Sequence, residues 1–153
     1  MILLIFFHLY SDSLFSALNF QFFSNINQLL DEAQSRLFMN RMKTLIIDDE
    51  WLIRSELKTM LVQYPNIDVV GEAANVMDAI KLCELLNPDL VFLDIHMPGG
   101  SGFDFLSRVN GNFKLVFITA FDQFLTDAKQ YRAIDYLMKP ISKDKLSMVI
   151  KKL

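Results

Sequence analysis

The sequence predicts an α/β protein: a five-stranded, doubly wound parallel sheet in the order 2-1-3-4-5, with helices on both faces. Three observations carry this. From Thr44 onward, short apolar runs alternate with stretches whose apolar residues recur at helical spacing. The runs are uninterrupted rather than alternating, as strands covered on both faces require. Right-handed crossovers between parallel strands then leave few topologies, of which this order is the natural one.

Each element has its own signal. Thr44–Ile47 is a β-branched, apolar first strand that stops at Asp48-Asp49-Glu50. Leu52, Ile53, Leu57, Met60 and Leu61 then recur as the buried stripe of a helix that ends at Tyr64-Pro65. Asp68–Ala73 is the second strand. Asn75 caps the next helix, with Asp78 in the capping-box position and Val76, Ala79, Ile80, Cys83 and Leu86 as its inner stripe. Asn87-Pro88 ends it. Leu90–Leu93 runs into Asp94 and the loop from His96 to Gly102, and a helix near Phe103–Val109 follows. Leu115–Ile118 leads to Thr119. A short helix around Gln123–Tyr131, a strand Ala133–Met138 and a last helix Ser142–Lys152 complete five β-α units.

Composition narrows the function. The 153 residues suit one domain with a tail, and 52% hydrophobic against 22% charged residues exclude a wholly disordered chain. With 15 Lys+Arg against 18 Asp+Glu the formal charge is −3, so DNA binding by this chain alone is not expected. Cys83 is the only cysteine, which excludes an internal disulfide or cysteine-based zinc site and suits a reducing, cytoplasmic setting. His8 and His96 are too few for a histidine metal cluster.

Texture changes near residue 41. Residues 1–41 hold seven of the 14 Phe but none of the 5 Gly or 4 Pro. They read as an N-terminal extension, without fixed structure or lying before the true start of translation. Residues 42–153 read as the folded domain, with no effector domain after it. A span over residues 2–23 has the length to cross a membrane but carries His8, Asp12 and Asn19, so a membrane role is not expected. A secretory signal would need a basic flank and a small-residue cleavage site, and neither is clear.

In a sheet of this kind the site lies outside the carboxyl ends of the strands. That rule gathers Asp48, Asp49, Asp94, Thr119 and Lys139 at one rim. Taken singly, such residues are most often solvated turn aspartates, a surface lysine and a threonine that merely ends a strand. Their joint occurrence at the ends of strands 1, 3, 4 and 5 argues for a site. Converging carboxylates repel unless a cation neutralises them, and an all-oxygen ligand set selects a hard ion such as Mg²⁺. Lys139 adds a fixed positive charge and Thr119 a hydroxyl donor. A phosphoryl group, attacked in line by a carboxylate, fits such surroundings.

Here the sequence resembles the receiver domain of two-component response regulators, over about residues 43–153. Ile46-Ile47-Asp48-Asp49-Glu50 resembles the acidic pair motif, and the segment from Pro88 to Gly99, centred on Leu93-Asp94, the phosphoacceptor strand and loop. Phe117-Ile118-Thr119-Ala120 resembles the switch-threonine strand, and Asp135-Tyr136-Leu137-Met138-Lys139-Pro140-Ile141 the lysine-proline motif. The stretch from Ala120 to Leu137 is most similar to receivers of LytTR-type regulators. The resemblance implies a flavodoxin-like receiver fold with Asp94 as phosphoacceptor. It implies Mg²⁺ held by Asp48, Asp49, Asp94 and the backbone carbonyl of His96, with phosphoryl oxygens bound by Thr119 and Lys139. Tyr136 would be the switch aromatic that turns inward with Thr119, and Lys139-Pro140 a cis bond.

The implied function is that of a signalling phosphoacceptor rather than an enzyme acting on a separate substrate. Its implied partner is a sensor histidine kinase, with homodimerisation or partner docking through the fourth helix, fifth strand and last helix, roughly Gln123–Lys152. Such a chain is a truncated or stand-alone relative of the LytTR-type regulators. Two other classes stay open. A receiver-like binding scaffold would lack part of the acidic set or the lysine. An aspartate-nucleophile phosphohydrolase would carry D-x-D-x-T after its first strand, where Asp48-Asp49-Glu50 stands instead. An FMN carrier would need a Ser/Thr/Gly-rich loop there, and Asp48-Asp49-Glu50-Trp51 has the wrong charge for it.

Overall fold

Alternate residues of each central strand face opposite layers, and both layers are apolar. In the computed structural model, residues 20–33, 41–120 and 129–153 are described, and the chain divides into two units, Met1–Asn40 and Arg41–Leu153. In the first unit, residues 20–33 are helical and expose Phe20, Phe22, Phe23, Leu29 and Leu30, where the sequence suggested no fixed structure. Residues 1–19 and 34–40 lie outside the described residues. Among the described residues no helix is long and apolar enough to cross a membrane.

The second unit contains the sheet. Its strands are β1 (Met42–Ile47), β2 (Ile67–Ala73), β3 (Leu90–Asp94), β4 (Lys114–Thr119) and β5 (Asp135–Met138). They pair in parallel in the order β2-β1-β3-β4-β5, the order expected from the sequence. The helices are α1 (Trp51–Leu61), α2 (Val76–Leu86), α3 (Gly102–Arg108) and α4 (Lys143–Ile150), with a 3₁₀ turn at Lys129–Tyr131. His96–Met97 and Gly100–Ser101 form a small antiparallel ladder in the loop after β3.

Each face of the sheet has its own core. Leu45, Ile47, Val91, Leu93, Leu115 and Phe117 face α2 and α3, packing on Ala79, Cys83 and Phe105. Ile46, Leu90, Phe92, Val116 and Ile118 face the other way, onto Leu57 and Leu61 of α1 and Leu146 and Val149 of α4. Each such side chain contributes about 1.5–3 kcal/mol by leaving water, and together they make the strands, and so their carboxyl ends, rigid.

Several elements differ from expectation in detail. β1 begins at Met42 because the Met42 N–H donates to Asn66 O at 2.8 Å and the Lys43 N–H to Asp89 Oδ2 at 2.8 Å. β5 begins at Asp135, since Arg132 takes a left-handed turn with φ 53°. Leu52 does not join the inner stripe of α1 but is 60% exposed; the stripe runs through Ile53, Leu57, Met60 and Leu61, and Leu52 is rotated about 100° away from Ile53. In α2, Ile80 and Leu86 are only partly buried. Asn75 caps α2 by accepting from the Asp78 N–H, while the Asp78 carboxylate meets the Asn75 side-chain amide at 2.8 Å rather than its backbone. α3 carries a full capping box between Ser101 and Asp104, a signal present in the sequence but not read there. Of the helix expected around 123–131, residues 129–131 form the 3₁₀ turn and 123–128 lie outside the described residues.

Two substitutions test this packing. Gly102 lets α3 start against β3: a Cβ there would lie 2.4 Å from the Asp94 carbonyl oxygen and 3.0 Å from Leu93 Cγ. Gly102→Ala is therefore expected to lower stability by about 1–3 kcal/mol in denaturant titration. Asp135, nearly buried, accepts from Lys152 at 2.5 Å, from Lys145 at 3.2 Å and from the Tyr136 N–H at 2.9 Å. Burial alone would raise its pKa, but these donors, Lys152 foremost, hold it below the ordinary value. A depressed carboxylate stabilises the fold above the ordinary aspartate pKa of about 3.9, and that stabilisation is lost as pH falls through the folded-state value. Asp135→Asn is expected to cost about 1 kcal/mol at pH 7. The gap between variant and parent in thermal unfolding should close on acidification.

Candidate functional site

The carboxyl ends of β1, β3, β4 and β5 meet at one rim, and ladder hydrogen bonds extend past the strands to set it. The Asp48 N–H donates to Ala73 O at 3.0 Å, and the Lys139 N–H to Thr119 O at 2.9 Å. Asp94 is the last residue of β3 and lies in register with Ile118, one residue before Thr119. Asp48 then turns the chain into α1: its Oδ1 accepts from the Glu50 N–H at 2.9 Å. Arg54, one helical turn on, reaches back and donates to the carbonyls of Asp48 at 2.7 Å and Asp49 at 3.2 Å.

Three carboxylates converge there. Oxygens of Asp48, Asp49 and Asp94 all lie within 4.8 Å of one another. Asp48 is wholly buried, Asp94 nearly so, and Asp49 partly. The Lys139 ammonium, itself only 10% exposed, sits 2.9 Å from Asp48 Oδ2, 2.9 Å from Asp94 Oδ2 and 2.8 Å from Glu50 Oε1. The contacts to Glu50 and Asp94 are directed hydrogen bonds, whereas the Asp48 contact is an ion pair that leaves buried Oδ2 without a directed donor.

The electrostatics follow from burial and crowding. Burial, reinforced by the charge on Asp94, pushes the Asp48 carboxyl up to about 6 despite Lys139 beside it. Burial also raises Asp94, against the pull of Lys139 and of the His96 N–H, which donates to Asp94 Oδ1 at 3.2 Å. Burial alone would lower Lys139, but its contacts with Glu50, Asp48 and Asp94 raise it, so it stays an ammonium.

The residues singled out in the sequence are thus assembled in one place. Asp48, Asp49 and Asp94 cluster, Lys139 contacts Asp48 and Asp94, and Thr119 ends the adjacent strand, fully buried. Lys139–Pro140 is cis, as expected. The His96 side chain is exposed, and its residue enters the site through its backbone N–H. Tyr136 is partly buried on β5, with Lys145 Nζ 4.8 Å from its ring centroid. Tyr131 stacks on Phe103 at 5.1 Å and meets Phe117 edge-on at 6.5 Å; Phe121 and Phe124 lie outside the described residues.

Two members of the site were not assigned roles from sequence. Glu50 closes on Lys139, and Arg54 braces the acidic turn. Their spacing, four residues apart at the start of a helix, would suggest a pair between them, but Glu50 goes to Lys139 and Arg54 to the acidic turn and Glu72.

Comparison with known proteins identifies the family and the fold. The response regulator receiver domain family matches residues 44–151. The sensory transduction protein LytT of Enterococcus faecalis is 42% identical over 114 residues, 72% of this chain and 47% of LytT. The transcriptional regulatory protein BtsR of Escherichia coli K12 is 38% identical over 113 residues, 72% of this chain and 47% of BtsR. The chain spans about half the length of the curated relatives it matches. Among solved structures, the response regulatory domain of mrkE from Klebsiella pneumoniae superposes with a TM-score of 0.67 at 29% identity, covering 73% of this chain and 94% of that one. With the family match extending over all four rim motifs, this chain belongs to the response regulator receiver domains.

Proposed function

We propose that the protein takes a phosphoryl group from the phosphohistidine of a sensor histidine kinase onto Asp94. One observation carries the reading: three aspartate carboxylates cluster in a largely buried site, and the Lys139 ammonium pairs with two of them, Asp48 and Asp94. With all three ionised, the aspartates exceed Lys139 by two negative charges, which a divalent cation would balance. The donors are all oxygen, and the buried Asp48 Oδ2 lacks a directed donor, so the residues suit a hard ion such as Mg²⁺. Asp48, Asp49, Asp94 and the backbone carbonyl of His96 would hold it. When bound, Mg²⁺ supplies the positive charge that neutralises phosphoryl oxygens.

The chain's own residues account for the rest. A carboxylate oxygen of Asp94 bonds to phosphorus as the N–P bond to the kinase imidazole breaks, and the leaving imidazole takes up a proton from water. The product is an acyl phosphate on Asp94. Lys139 donates to one phosphoryl oxygen and the Thr119 hydroxyl to another. The modification favours the arrangement of Thr119 in which its hydroxyl reaches the phosphoryl group, by on the order of a few kcal/mol. Tyr136 turns inward with Thr119, exchanging its contact with Lys145 for the space beside β4. The readout surface is β5, α4 and the segment before them, used for a homodimer or an output partner in the cytoplasm. DNA contacts are not assigned to this domain, whose charge is slightly negative.

The test is intact mass of the full chain after incubation with Mg²⁺ and a small-molecule phosphodonor. A gain of one phosphoryl group is expected, dependent on Mg²⁺ and absent in Asp94→Asn. A folded protein that binds Mg²⁺ yet gains no mass would leave a receiver-like scaffold as the better reading.

A further inference from the structure

In the resting protein three carboxylates enclose the Lys139 ammonium, Glu50 and Asp94 as hydrogen-bond acceptors and Asp48 as an ion-pair partner, and its side chain is only 10% exposed. A phosphoryl group on Asp94 brings oxygens that need the same ammonium, so one partner has to give way. Asp48 is wholly buried, and leaving it without its cation is costly. Asp94 is the residue that carries the new group. Glu50 differs from both: its side chain is 57% exposed, so water can replace Lys139 around its carboxylate at little cost.

A second feature sets Glu50 apart. It occupies the N-cap position of α1, where a short side chain ordinarily accepts from a first-turn N–H. Glu50 makes no such capping bond. Its carboxylate reaches across the rim instead, to a lysine 89 positions along the chain, at 2.8 Å. Arg54 is directed at the carbonyls of Asp48 and Asp49 and toward Glu72, so it gives the Glu50 carboxylate no alternative cation.

We propose that Glu50 is a positioning residue that holds the Lys139 ammonium in the resting site and competes for it with a phosphoryl group on Asp94. The inference rests on Asp94 being the phosphoacceptor. Binding of the phosphoryl group transfers one Lys139 hydrogen bond from Glu50 to a phosphoryl oxygen and returns the Glu50 carboxylate to water. It also separates that carboxylate from the incoming negative charge. Removing the Glu50 charge therefore favours the phosphorylated form of the site over the resting one.

Trp51, the neighbouring residue and 70% exposed, provides the signal. The full chain, Glu50→Gln and Glu50→Ala are titrated by tryptophan fluorescence, first with Mg²⁺ alone and then with beryllium trifluoride, a phosphoryl mimic, at saturating Mg²⁺. Both variants are expected to bind the mimic about three- to tenfold more tightly than the parent, with no matching gain for Mg²⁺ alone. A side chain with only a structural role in α1 would not separate the two ligands. Equal or weaker mimic binding by folded variants, beside a parent that binds it, overturns the inference alone. A folded parent that binds Mg²⁺ but not the mimic overturns the phosphoacceptor reading and this inference with it.

Discussion

Everything at the rim depends on one ammonium placed among buried carboxylates. Lys139 sits within 2.9 Å of Asp48, Glu50 and Asp94, in surroundings where an unpaired carboxylate would be costly. The lysine is where it is because of the sheet. Its N–H extends the β4–β5 pairing to Thr119, while Asp48 extends the β1–β2 pairing to Ala73. Two apolar layers clamp those strands, so side chains at their ends have little freedom to relax away from one another. Packing far from the site thereby maintains the crowding of charge at the rim.

That crowding leaves the resting site unbalanced. The carboxyl of Asp48 is pushed up by burial and by Asp94, and the Lys139 ammonium meets only part of the negative charge of the three clustered aspartates, while Arg54 is directed at backbone carbonyls of Asp48 and Asp49. A structural ion pair would be arranged to satisfy its charges. Here an excess of negative charge is held in place by the fold, an arrangement suited to binding cations and then a phosphoryl group. Glu50 adds to the imbalance from the solvent side, and its exposure makes it the partner that can leave.

Much of this was legible in the sequence, because strand ends and site residues are the same residues. Four apolar runs terminating in Asp48-Asp49, Asp94, Thr119 and Lys139 specify both the topology and the rim. The limits were local. Leu52 counted toward the α1 stripe because an apolar residue beside Ile53 cannot be assigned to a face by hydrophobicity alone; its exposure follows from helical rotation. Ser101 and Asp104 were passed over within a glycine-rich loop, although they make a capping box. The contact of Glu50 with Lys139 joins residues 89 positions apart and has no periodic signature. The helix over 20–33 does carry a periodic signal, since Phe22, Phe23, Ile26, Leu29, Leu30 and Ala33 recur at helical spacing on one stripe, but that stripe stays exposed and is not matched to a packing partner among the described residues of its own unit.

The claim that one ammonium holds a buried, mutually repelling carboxylate set is tested most directly by a double-mutant cycle in the absence of divalent cations. Lys139→Met, Asp94→Asn and the double variant are unfolded with urea beside the parent protein. The account predicts that Lys139→Met alone costs about 3–5 kcal/mol. It predicts a loss smaller by about 1–3 kcal/mol when Asp94 is already neutral, since removing one carboxylate relieves part of the unpaired charge. Losses that add to within about 0.5 kcal/mol would contradict it, because they would mean that Lys139 and Asp94 do not interact energetically at the rim.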